Sequence, residues 1–137
     1  MRVTSTIQWI SADLELLPEN SNRYEIIDGE LFVNQAPHWF HQRVCGNLYL
    51  ALTVWGIGYA AIGAGIVWGE SDDVIPDVVW LRSENYEQLL DESGHLRGSP
   101  DLIIEVLSPG TTNERRDKEV KLKLYSTRGV KEYWIID

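Results

Sequence analysis

One cysteine, one methionine, two phenylalanines and three histidines in 137 residues leave few routes to thiol, redox or histidine-rich chemistry. A lone Cys45 excludes an internal disulfide and fits a reducing cytoplasm, where the chain is expected to reside. Nothing beside Cys45 marks it as activated, so it reads as a packed core thiol rather than a nucleophile. No apolar run approaches the ~20 residues of a membrane span. The opening "MRVTSTIQWISADLELLPEN" has no apolar stretch of the kind a secretory signal needs. Repeats, low-complexity segments and linkers are also missing. A single domain over residues 1–137 is expected, large enough to bury a core.

Positive charge is scarce too. Twelve Lys and Arg face 21 Asp and Glu, for a net charge of −9. That balance argues against non-specific attraction to nucleic acid. The distribution is uneven, however: residues 113–131 carry +4, whereas residues 1–112 carry −11. The basic stretch reads either as a solvated helix with i,i+4 charge pairs or as a phosphate-facing surface.

What is present is a mixture of helical and extended patterns. "SADLELL" reads as a short helix, with Ser11 as N-cap and Pro18 as its stop. "RYEIIDGELFVNQ" reads as a hairpin about Asp28-Gly29. "HWFHQRVCGNLYLALTVW" has helical spacing through Val44, Leu48 and Leu52. "AIGAGIVWGES" is strand-like and broken by glycine, and "IPDVVWLR" is a further strand. A short helix capped by Ser83 follows, then a strand over 101–107. A helix over 112–129 ends at Gly129, and "VKEYWIID" is a last strand. This order predicts an α/β (α+β) fold with one central mixed sheet flanked by helices.

Two strands begin alike, "IPDVVWL" and "SPDLIIEVL". Side chains alternate along a strand, so Asp101, Ile103 and Glu105 share one face, and Leu102, Ile104 and Val106 the other. A carboxylate inside a core strand is costly unless it is paired, hydrogen-bonded or bound to metal. Asp101, at the strand's mouth, can reach water or a turn amide. Glu105 has no such escape. It reads either as half of a buried ion pair or as a metal ligand together with Asp77. Carboxylates with water suit Mg²⁺ or Mn²⁺. On the following helix Asp117, Lys121, Leu124 and Tyr125 form one stripe, with Val120 beside it. A lysine on a packed face is a snorkelling side chain, a partner of Asp117, or a group reaching Glu105 and Asp77. Lys118 is the next candidate. Two acids, a divalent cation and a lysine suit phosphodiester hydrolysis.

The segments "RYEIIDGELFV", "HQRVCGNL", "PDVVWLR", "PDLIIEVLSPGT" and "RRDKEVKLKLYSTRGVKEYWIID", in this order, resemble the Uma-type family of restriction endonucleases, within the PD-(D/E)XK nuclease superfamily. The resemblance runs from about Tyr24 to Asp137. It implies a restriction-endonuclease-like core and metal-dependent cleavage of DNA. By position it carries the superfamily's Pro-Asp to Pro76-Asp77 and its acidic strand residue to Glu105, making Asp77 and Glu105 the expected metal ligands. The superfamily's lysine position is Leu107 here, and the resemblance moves that role to Lys121. Glu25 matches a further acid, against the alternative of a surface strand residue. Asp101 ranks below Asp77, and His41, beside Trp39 and Phe40, reads as a packed or surface histidine. The family runs past "EYWIID", so the chain is expected to be short at its C-terminus, with an open sheet edge that favours a homodimer. Two other readings stand beside the endonuclease: an inactive binding module of the same fold, and a structural domain in which Glu105 and Lys121 form a buried ion pair.

Overall fold

The computed structural model describes residues 7–20, 22–34, 37–107 and 114–137, with backbone alone for 114–117. The stripe partner Asp117, the basic Arg115 and Arg116, and the turn after Leu107 therefore lie outside the described side chains. The first element is a 3₁₀ turn, Ser11–Leu16. Ser11 is its first residue rather than its cap; the residue before it, Ile10, donates its N–H to the Asp13 carboxylate at 2.9 Å.

Strands β1 (Arg23–Ile27) and β2 (Glu30–Asn34) form the expected hairpin. Asp28 and Gly29 both take left-handed backbone, φ 51° and 74°. Such a turn follows the right-handed twist of its strands, and Asp-Gly suits it. Helix α1 (Trp39–Trp55) follows, its start capped by the His38 ring accepting from the Phe40 N–H. Then come β3 (Gly58–Ile62), β4 (Ile66–Trp68), β5 (Asp72–Val74) and β6 (Val78–Arg82). Helix α2 (Ser83–Leu89), β7 (Leu102–Val106), helix α3 (Glu114–Thr127) and β8 (Glu132–Ile136) complete the order. Ser83 opens α2 as its first residue, with Arg82 in the cap position.

The fold is α/β, with two sheets where one was expected. One is antiparallel, in the order β2-β1-β5-β4. The other is mixed, in the order β3-β6-β7-β8, with β7 and β8 parallel across helix α3. A parallel pair needs such a crossover. The reason for the second sheet lies in residues 61–71. Gly63 and Gly69 adopt φ 65° and 67°, so the stretch turns twice instead of running straight. Its pieces become the end of β3, the whole of β4 and the turn into β5, and β5 joins β1.

The mixed sheet is covered on both faces. Val78, Trp80, Leu102 and Ile104 pack with Cys45 and Leu52 of α1. Val79, Leu81 and Ile103 pack with Leu124 and Tyr125 of α3 and with the antiparallel sheet. Glu105 lies on this second face. Arg128, just after α3, bonds the Asp72 carboxylate through Nε at 3.2 Å and the Trp68 carbonyl at 3.1 Å. This basic residue therefore ties α3 to the β4–β5 hairpin.

Between α1 and β3 the exposed, β-branched Ile57 is held at φ 56°. That region costs an L-residue roughly 1–2 kcal/mol, and a branched one most. Ile57→Asn is expected to stabilise the fold by about 1 kcal/mol, read as a higher urea midpoint at unchanged slope.

Candidate active site

Position along the antiparallel ladder brings the first two acids together. Val78 pairs with Ile104, and one step further sets Asp77, at the mouth of β6, opposite Glu105. The Val106 N–H donates to Asp77 Oδ2 at 2.8 Å, locking that carboxylate to β7. Arg23 approaches the other oxygen, Oδ1, at 3.4 Å.

Helix α3 brings the cation. Of the stripe expected from the helical period, the described members Leu124 and Tyr125 are buried, while Glu119 and Lys123 on the far side are exposed. Lys121 lies on the buried side, and its Nζ reaches Glu105 Oε1 at 3.2 Å and Glu25 Oε1 at 3.3 Å. One turn on, the Tyr125 hydroxyl donates to the same Glu105 oxygen at 2.9 Å.

Glu25 comes from the other sheet. It is 1% exposed, which excludes the surface-strand alternative. Its Oε2 accepts the Ile75 N–H at 2.8 Å, and its Oε1 accepts the Asn34 amide at 3.0 Å. The first bond fixes the chain two residues before Asp77. Glu25, Asn34, Val120 and Lys121 line a narrow crevice between the hairpin and α3 with no room for a water.

Asp101 stands apart. It accepts the Arg82 N–H at 2.8 Å and the Asn85 amide at 3.0 Å, so it holds the start of α2. The escape to a turn amide is the one it takes. His41 is the packed histidine that was expected, with a polar partner. It is buried on α1, and its Nε2 lies 3.2 Å from Asp77 Oδ2. The signal in the sequence was the i,i+4 spacing of His41 and Cys45, which sets both on the helix face turned to the sheet.

The electrostatics follow from burial. Burial pushes Glu105 up to about 8, although the Lys121 charge opposes the shift. Burial works against the Lys121 ammonium, but the charges of Glu105, Glu25 and Asp77 outweigh it and raise its pKa. Burial pushes the Tyr125 hydroxyl up as well, with Glu105 adding to it. Burial would raise Asp77, yet the His41 hydrogen bond and the Val106 N–H hold it below the usual carboxylate range. That same hydrogen bond to Asp77 lifts His41 to about 10.

A family model described as "Putative restriction endonuclease", Uma2, matches residues 11–137. The chain belongs to this family. Among solved structures it is similar to the crystal structure of a putative nuclease belonging to DUF820 from Anabaena variabilis ATCC 29413. The two share 21% identity and a TM-score of 0.68 over 92% of this chain and 72% of that one, which shows a common fold. No curated protein matches the chain. Among the described residues, no helix is long and apolar enough to cross a membrane.

Two measurements probe these contacts. Lys121→Met leaves two buried carboxylates without their shared cation and is expected to cost about 3 kcal/mol; adding Glu105→Gln should recover part of that loss in the same urea titration. The folded state holds the His41 proton more tightly than the unfolded chain. Its stabilisation is therefore complete below pH 6.5 and is lost as pH rises through about 10. The stability gap between the metal-free protein and His41→Gln should narrow over that window.

Proposed function

We propose that the chain is a metal-dependent endonuclease that hydrolyses phosphodiester bonds of DNA. The observation that carries this reading is the meeting of Asp77, Glu105, Glu25 and Lys121 in one buried cluster, drawn from two sheets and a helix. Family membership supports the same chemistry.

The donor set fits a divalent cation. Glu25 and Glu105 both contact Lys121, and Asp77 stands opposite Glu105 on the next strand, so carboxylate oxygens converge on one place. Asp77 and Glu105 would hold the ion, Mg²⁺ or Mn²⁺, since hard oxygen donors suit both. A divalent ion would supply charge neutralisation at the phosphate and a more acidic water. Lys121 is already protonated and pinned by two carboxylates, so its N–H groups are set to orient a water or to bind developing negative charge. Glu25 fixes Lys121 on one side and the chain before Asp77 on the other. Tyr125 fixes the Glu105 oxygen that Lys121 also touches.

The acidic surface makes a basic attraction to the DNA backbone a poor source of affinity. In the helix that carried the basic excess, Lys121 is drawn into the cluster and Arg128 is bound to Asp72.

The test is nicking of supercoiled plasmid by the purified chain in Mg²⁺, Mn²⁺ or EDTA, beside Glu105→Gln and Lys121→Met. Cleavage is expected to need the cation. Each substitution should lower it on the order of a hundredfold or more, with folding checked by circular dichroism. A folded wild type that cuts nothing in either cation would sink the enzyme and favour the inactive binding module. Cleavage that survives Lys121→Met would leave the lysine a purely structural ion-pair partner.

A further inference from the structure

Helix α1 turns one face to the mixed sheet and leaves the opposite face in water. His41, Cys45 and Leu52 mark the packed side. At 100° per residue, Trp39, Arg43, Gly46, Leu50 and Val54 fall within roughly 80° of one another on the far side, with Phe40 at the rim. The steps along this stripe are four, three, four and four residues, close to the spacing of a seam between two packed helices. The outer stripe of an ordinary surface helix is polar. Here Trp39 is 72% exposed, Phe40 67%, Leu50 61% and Val54 78%.

Side chains of this size, at these exposures, present on the order of 500 Å² of apolar surface. Monomers rarely leave a contiguous apolar patch larger than a few hundred Å² in water, and a stable pairing takes about 800 Å² from each partner. The stripe supplies more than half of that before the Arg43 stem is added. Two features point to the occupant. The first is charge. The chain carries −9, so a second copy is repelled over most of the surface. Helix α1 has no acidic residue, so two copies can meet there without setting acid against acid. The second is Gly46. No described atom lies within 4 Å of the place its Cβ would take, so nothing inside the chain calls for a glycine there. Glycine weakens a helix interior, but it lets the backbone of a facing helix come close.

We infer that the chain forms a two-fold dimer through the outer face of α1, the two helices crossing antiparallel beside Gly46. Laid about such an axis the stripe is its own complement. Trp39 of one copy meets Val54 of the other, and Leu50 meets the Arg43 stem, each contact occurring twice as a two-fold interface requires. The pairing lies on the helix rather than on the open sheet edge at β8. It stands whether or not the acidic cluster binds a metal, because the packed face of α1, not the outer one, is turned to Asp77.

The test is sedimentation velocity of the full chain from low to high micromolar concentration. The wild type is expected to pass from monomer to dimer over that range. Gly46→Gln adds a side chain where the monomer has room and where the helices would cross. It should keep or raise the urea midpoint and weaken association about tenfold or more. Leu50→Glu sets two like charges near the axis from an exposed position, and should cause a similar loss with the fold intact. If one variant fails to fold, the other decides. A wild type that stays monomeric throughout would overturn the inference. So would a dimer that the folded variants hold as tightly as the wild type, which would move the contact to another face such as the β8 edge.

Discussion

The Lys121 ammonium touches two carboxylates that belong to different sheets, Glu25 of β1 and Glu105 of β7. The hairpin, the mixed sheet and α3 all meet at that nitrogen. A charge buried this deeply has to be matched, because the desolvation of one unpaired ion costs several kcal/mol. Each partner is itself held: Glu25 by the Ile75 N–H, Glu105 by Tyr125. A well-packed apolar side chain could fill the same volume at similar or better stability. Holding the sheets together does not by itself call for this much charge.

Asp77 plays a different part, at the edge between the two faces. Its backbone leads into β6 while its carboxylate is held by the β7 backbone, by Arg23 of the hairpin and by His41 of α1. At the strand mouth a side chain meets groups from both layers. That is why α1, whose packed face is otherwise apolar and built on Cys45 and Leu52, can send a histidine to the same carboxylate.

Much of this was legible in the sequence where a local rule applied. Asp28-Gly29 named its turn, strand alternation split Ile103 from Ile104, and the helical period put Lys121 beside Leu124 and Tyr125. Glu105 stood out because an acid in an apolar strand needs an explanation. The second sheet was not legible. Strand β5 reads "DDV", and nothing local marks two aspartates as extended; Asp72 is buried because Arg128, 56 residues away in sequence, binds it. His41 is packed, as read, but its partner was hidden for a similar reason: Asp77 is distant in the chain. Pairings between distant residues carry no periodic signal.

The order of the cluster along the chain has a consequence for assembly. Glu25, Asp77 and Glu105 are all synthesised before Lys121, and β7 gains its parallel neighbour only after α3 has been made. Glu25 and Glu105 therefore gain their shared cation only from a helix that follows both in the chain. The contacts that join α3 and β8 to the rest span long sequence separations, and such contacts carry the larger loop-closure cost.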